Sequence, residues 1–397
     1  MTPAPSLDRQ LEVLLSEDID SVQLRESSWL DTILAGVRGR IVLFGAGCLG
    51  RSALRCLQRD GRRPLAFCDN NAALWGTEIQ GIPVLSPPAA ARSFGAAAAF
   101  FVTIWSLGHR YAETHEALTN WGCKQVYPSA PLRWKYAADL LPFFLQDLPH
   151  KVYREAAAVQ AAFALWSDDR SRAEYLSQIR YRALGDWNGL NAPDPEDSYF
   201  LESRYSLLPN EVFIDCGAFD GDTVREVIHR SRGAFSRIVP LEPDPANFAA
   251  LEDYLATVPS SVASRITPYR YAVSAAPQRV RFAASASESS TITESGDTWV
   301  EAVRLDDLVG DLRPTFIKMD IEGAEGDALE GARRTIARHR PLLAVCLYHR
   351  QSDLWRIPLL IHSIDPGYRY FLRTHETDGW QTVGYAVPPE RLNPAYA

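Results

Sequence analysis

Glu211 to Thr223 reads EVFIDCGAFDGDT. The apolar run Val212, Phe213 and Ile214 breaks into a turn with two glycines and three aspartates, which predicts a buried parallel strand, a tight turn and the start of a helix. A second strand, Arg237 to Leu241, stops at Glu242, about 25 residues past Gly217, where a nucleoside-binding α/β unit carries its ribose carboxylate. A dinucleotide turn brings bare amides to a pyrophosphate, and acidic side chains there would repel it. Asp215, Asp220 and Asp222 instead suit a ligand with positive charge and no phosphate, such as S-adenosylmethionine with its ammonium and sulfonium. The plain alternative is a buried strand with an ordinary Asp-Gly turn.

The 397 residues suffice for two domains, and the composition is that of an ordinary soluble globular protein. A net charge of −8 with no Lys/Arg run argues against a nucleic-acid partner. Six scattered cysteines (48, 56, 68, 123, 216, 346) make no C-x-x-C or zinc spacing, and fit a reducing cytoplasm and core thiols. No leader and no membrane-spanning run is apparent, so the expected location is cytoplasmic, without a membrane partner.

Upstream, leucines 7, 11, 14 and 15 predict amphipathic helices over Leu7 to Leu34. IVLFGAGCLG then gives a strand and the turn Gly45-x-Gly47-x-x-Gly50, followed by a helix Arg51 to Arg59 and a strand Pro64 to Cys68 ending at Asp69. That is a dinucleotide-type fingerprint, and Gly45, Gly47, Gly50 and Asp69 make a candidate second site for a nucleotide or nucleotide-sugar. A turn that only packs helix on sheet, with Asp69-Asn70-Asn71 as a cap, explains the same residues. WGTEIQGIPVLSP and the strand-like Ala98 to Ile104 complete a small sheet. This half resembles the Rossmann-like modules at the N-terminus of bacterial sugar-modifying enzymes.

Leu132 to Leu190, with Pro142 and Pro149, has helical spacing, and NAPDPEDS (191–198) is a loop. The domains expected are a Rossmann-like module with N-terminal helices over 1–130, a helical connector over 131–198 and a catalytic domain over 199–397. In the last, Arg265 to Val273 reads as a third strand, Arg279 to Ala283 and Trp299 to Leu305 as further ones, Thr315 to Met319 as a fourth core strand and Leu342 to Leu347 as a fifth. Tyr368 to Thr374 and Gln381 to Val387 flank Asp378-Gly379, which predicts a C-terminal antiparallel hairpin on an otherwise parallel sheet.

VFIDCGAFDGDT, PLEPDPANF (240–248), RYAVS (270–274), VRLDDL (303–308), FIKMDIEGAEGDALEGA (316–332) and LAVCLYHRQSDLWRIPLLI (343–361), in this order, resemble the FkbM family of methyltransferases from about Tyr199 to Pro388. The resemblance implies a class I methyltransferase fold with a reversed last strand. It also implies methylation of a hydroxyl, commonly on a sugar or polyketide-type product. The fold class expected is therefore α/β with two doubly wound sheets joined by a helical connector. The donor-binding set is Asp215, Gly217, Ala218, Asp220, Gly221, Thr223, Glu242, Ala272 and Asp320.

Ligands of an open α/β sheet lie beyond the carboxyl ends of its strands, which selects Asp320 and Tyr348-His349 on two neighbouring strands. An ordinary histidine titrates where a general base should, so His349 is the candidate base, against a role as a helix cap or carbonyl partner. Asp320, Glu322 and Glu325 could orient the donor ammonium, hold His349 as an imidazolium, or bind a hard divalent ion. The ion ranks last, since Glu322 and Glu325 look like first-turn carboxylates, and no metal ligand is assigned. The catalytic set is His349, Asp320 and Glu325. Tyr199 and Phe200 are read as cofactor mouth or packing, Arg373 and His375 as contacts to an anionic substrate or solvated charges, and Ser285 to Thr293 as a substrate loop or linker. The expected partner is a small-molecule or carbohydrate acceptor, with homo-oligomerisation open. An NAD-dependent oxidoreductase or epimerase run from Gly45 to Asp69 is the second reading, although no Tyr-x-x-x-Lys pair accompanies it. A non-catalytic glycan-binding scaffold is the third.

Overall fold

The computed structural model of the chain describes residues 5–283, 291–292 and 298–394. They form two compact units, one of residues 1–160, 173–193 and 376–380, the other of 161–172, 194–375 and 381–397. The helices between Ala130 and Leu184 are shared out between the two.

In the first unit, Leu7–Leu14 and Ile19–Gly36 are helices, begun by Ser6 and Asp18, whose side chains accept from Arg9 N and Ser21 N. The strands are β1 Ile41–Phe44, β2 Ala66–Cys68, β3 Glu78–Ile79, β4 Ile82–Leu85, β5 Ala99–Val102 and β6 Gln125–Pro128, in the order β3-β4-β2-β1-β5-β6. All pair in parallel except the β3–β4 hairpin at one edge. β1, β2 and β5 are buried throughout, as their unbroken apolar runs require of central parallel strands.

The second unit holds β7 Glu211–Cys216, β8 Phe235–Leu241, β9 Ala272–Val273, β10 Gln278–Ala283, β11 Thr291–Ile292, β12 Thr298–Val303, β13 Phe316–Met319, β14 Leu342–Cys346, β15 Arg369–Thr374 and β16 Thr382–Val387. Its main sheet has the order β15-β16-β14-β13-β7-β8. β8, β7, β13 and β14 pair in parallel, and β16 runs antiparallel between β14 and β15. The reversed last strand expected from Asp378-Gly379 thus sits inside the sheet, and the neighbouring fourth and fifth core strands are β13 and β14.

The third strand is a correction. Arg265 to Val273 makes only isolated bridges to β8, Ile238 with Ile266 and Leu241 with Tyr269. Thr267 N donates to the Ile238 carbonyl and Tyr269 N to the Pro240 carbonyl, but Pro240 in β8 has no N–H to return to Thr267, so the ladder is broken between them. Ala272 and Val273 instead join β12 in a four-stranded sheet ordered β11-β10-β12-β9, over a small core of Ala272, Phe282, Val300 and Ala302. Ser285–Ser290 and Thr293, most of the serine- and threonine-rich run, lie outside the described residues. No helix among the described residues is long and apolar enough to cross a membrane.

Candidate functional site

The turn after β7 is built by glycine. Gly217 has φ +85, and a Cβ there would lie 1.9 Å from the Asp320 carbonyl oxygen. Gly221, at φ +88, precedes the helix Asp222–Arg230, and a Cβ there would meet Leu251 at 2.8 Å. Gly217 and Ala218 both donate to the Leu241 carbonyl, and Gly221 donates back to Ala218. Thr223 is buried in the first helical turn, its N–H on Asp222 Oδ1. Glu242 closes the turn from the tip of β8, accepting from Phe219 N at 2.9 Å and Asp244 N at 2.8 Å. Burial lifts its carboxyl to about 7 against those two donors.

The three aspartates do not leave this turn uniformly negative. Asp215 is fully buried, and Lys318 Nζ stands 3.0 Å from its Oδ1 and 2.6 Å from the Gly217 carbonyl. Burial raises Asp215 to about 6 while Lys318 pulls it down. Burial also works against the ammonium, yet Asp215, Asp320 and Asp222 outweigh it and hold Lys318 above its ordinary value. Asp220 pairs with Arg225 at 3.0 Å. The repulsion of phosphate argued from bare carboxylates is therefore weaker than the sequence implies, because two of the three are matched by internal cations. Lys318 is the side chain here that local pattern does not single out. A lysine inside the apolar run Phe316–Met319 was its signal, and register places it directly opposite Asp215.

Beyond β13 and β14 the side chains converge. His349 Nδ1 is 2.8 Å from Glu325 Oε1, and its Nε2 is 3.3 Å from Asp320 Oδ1 and 3.7 Å from Glu322 Oε1. Tyr199 Oη donates to Asp320 Oδ2 at 2.7 Å. The His349 and Glu325 side chains are 2% and 1% exposed, whereas Asp320 is 19% exposed, so of these three Asp320 is the one with surface open to solvent. Burial disfavours a charged imidazole, but Glu325, Asp320 and Glu322 push His349 up to about 10. Burial likewise works against an Asp320 carboxylate, and His349 and Lys318 reverse it, holding its carboxyl below the ordinary range. These carboxylates favour the imidazolium, one of the roles read for the cluster, over the neutral ring a general base needs. An ordinary pKa does not survive among three carboxylates.

Other candidates resolve differently. Ala272 is buried in β9, three residues past Tyr269, whose carbonyl accepts from Glu242 N. Arg373 is neither a substrate contact nor solvated: 2% exposed, it pairs with Asp168 at 2.8 Å and Asp194 at 3.1 Å. His375 has Glu196 O at 2.7 Å from Nδ1 and Tyr385 Oη at 2.7 Å from Nε2, and burial lowers it, so it is a neutral structural ring.

In the first unit Gly45, at φ +109, packs against Ile104 and Thr103, and a Cβ on Gly50 would lie 2.0 Å from the Gly45 carbonyl oxygen. Gly47 precedes the helix Cys48–Arg59, which starts three residues earlier than expected. Asp69 accepts from Ala46 N at 2.7 Å and from Asn71 N at 2.8 Å, the same two roles that Glu242 fills. These contacts account for the glycines and the carboxylate as parts of a closed turn.

Residues 215–371 match the family described as the methyltransferase FkbM domain. Methyltransferase FkbM from Methylobacillus flagellatus KT superposes with a TM-score of 0.78 at 23% identity, covering 96% of this chain and 99% of that one, a likeness of fold. A candidate rRNA-methylase from Clostridium thermocellum gives 0.31 at 8% identity over 46% and 89% of the two chains, and LepI in complex with SAM gives 0.25 at 13% over 57% and 53%. Scores that low carry no argument. No curated protein matches the sequence.

Proposed function

We propose that the chain, whose residues 215–371 match the methyltransferase FkbM domain, is a methyltransferase that moves the methyl group of S-adenosylmethionine to a hydroxyl of a sugar, a glycosylated compound or a related natural product. The observation that carries the reading is the contact of donor turn and acid: no side chain fits between Gly217 and the Asp320 backbone. A donor on the turn thus presents its methyl beside the half-open Asp320 carboxylate.

Transfer is an in-line displacement, so alignment of oxygen, methyl and sulfur supplies much of the rate. The acceptor oxygen attacks the methyl carbon, the carbon–sulfur bond breaks with its electron pair left on sulfur, and the hydroxyl proton passes to Asp320. His349 and Lys318 keep Asp320 ionised to receive it, and Tyr199 fixes its other oxygen. Glu242 is the carboxylate placed for the ribose, and the buried Asp215–Lys318 pair sets the turn. His349 and Glu325 act through Asp320 as positioning residues.

Calorimetry with S-adenosylhomocysteine tests the site. Glu242→Ala should weaken binding at least about tenfold, while Asp320→Asn should keep affinity and lose about 10²–10⁴ in turnover, the range for a positioned proton acceptor. Full affinity in Glu242→Ala would overturn the donor site. The accompanying proposal, a nucleotide or nucleotide-sugar at Gly45, Gly47, Gly50 and Asp69, has Asp69 accept from the ligand as well as from the Ala46 and Asn71 amides, as Glu242 does beside its own two. A fluorescence change on mixing with NADH, absent in Asp69→Ala, is what it demands.

A further inference from the structure

We propose that His349 Nε2, Asp320 and Glu322 bind a divalent cation of the Mn²⁺ kind, with Glu325 holding the imidazole from its other side.

One imidazole nitrogen can meet one ion. Nδ1 faces Glu325, which is itself fixed by the Ile321 N–H at 2.9 Å, so Glu325 occupies the place from which a carboxylate orients a ligating ring. Nε2 faces two other carboxylates, Asp320 Oδ1 at 3.3 Å and Glu322 Oε1 at 3.7 Å. An octahedral ion with bonds of about 2.1 Å separates adjacent ligands by about 3 Å, near the two distances measured from Nε2. Asp320, Glu325 and His349 offer ligand atoms within 4.8 Å of one another, and the ring geometry divides them into two ligands and one orienting group.

Glu322 is the residue that sequence alone misplaces. It is not in the helix, which begins at Glu325, but in the preceding turn at φ +55, with its carboxylate toward His349. The Asp320 and Glu322 side chains are 19% and 18% exposed, so the remaining positions of the ion open toward water and acceptor, while His349 and Glu325 are enclosed. The donor set, two carboxylate oxygens and one imidazole nitrogen, suits a hard-to-borderline octahedral ion.

The role of the ion rests on the methyl-transfer reading. A bound ion would make a nearby acceptor hydroxyl lose its proton more readily; the proton would still pass to Asp320, and the carbon–sulfur bond breaks as the oxygen–carbon bond forms. Binding is read separately, by the disappearance of the free Mn²⁺ resonance when the full-length, chelator-treated protein is added without donor or acceptor. One ion should bind per chain, and Glu322→Gln, a change at a half-open turn, and Asp320→Asn should each weaken it at least about tenfold. Glu325→Gln should weaken it about 10–100-fold by freeing the ring. An undiminished free Mn²⁺ signal, or equal binding by Glu322→Gln, would overturn the site. Methyl transfer that runs unchanged in excess chelator would sink the metal and leave the transferase reading standing. Mn²⁺ binding by a chain that transfers no methyl group would do the reverse.

Discussion

Lys318 Nζ stands 3.0 Å from Asp215 Oδ1, its register partner on the adjacent parallel strand, and both side chains are buried. The pair carries opposite charges out of water at the base of the donor turn, and removing one partner strands the other. Lys318→Met should therefore lower unfolding free energy by about 3–5 kcal/mol and abolish S-adenosylhomocysteine binding. The double variant Lys318→Met with Asp215→Leu should regain much of the stability and none of the binding. Urea unfolding measures the first effect and calorimetry the second. A single variant as stable as the parent would show that no charge is stranded.

Tyr199 is held at φ +69 and spends its hydroxyl on Asp320. Tyr199→Phe should leave donor affinity unchanged and slow turnover about tenfold. Losing a donor to the ionised form raises the Asp320 pKa, so the acid limb of the rate profile should move to higher pH. An unmoved limb would separate Tyr199 from catalysis.

Arg373 is a structural cation. Arg373→Leu leaves Asp168 and Asp194 short of a buried partner and should cost about 3–5 kcal/mol, with the KM for acceptor unchanged near neutral pH. A raised KM in a fully stable variant would restore the substrate-contact reading.

His349 links stability to pH. Its pKa rises from 6.5 to about 10 on folding, so its contribution is complete below pH 6.5 and is lost as pH climbs through 10. Between these values the folded chain holds the proton that the unfolded chain releases, and stability should fall by at most about 1.4 kcal/mol per pH unit. In chelator between about pH 8 and 10, above the values near 6 to 7 of Asp215, Glu242 and Asp353, His349→Gln should remove most of that slope. Parallel stability curves for parent and variant would mean that the ring is not charged by its neighbours.

The fold and most of the site are legible in the sequence wherever local pattern decides them. Apolar runs give β7, β13 and β14, Asp378-Gly379 gives the reversed strand, and the strand-end rule finds Glu242, Asp320 and His349. What sequence does not give is decided by groups far apart in the chain. The charge of His349 depends on carboxylates from another strand end, and Arg373 looks like a substrate contact until Asp168, 205 residues away, is beside it. Lys318 escaped because polarity inside an apolar run looks like noise until its partner is known. The broken third strand has its cause on the partner strand, where Pro240 has no N–H to give to Thr267.

The second unit also borrows a short segment from well upstream. Ser167 N donates to the Tyr370 carbonyl, Ser167 Oγ accepts from Tyr370 N, and Ser171 Oγ accepts from Leu372 N, so 161–172 seals the outer margin of β15. A fragment cut at the loop before Tyr199 would expose that margin as an open edge able to recruit a stranger's strand. Anyone wishing to express the transferase half alone should graft Ala161–Arg172 back onto it, or expect an aggregate where a catalyst was wanted.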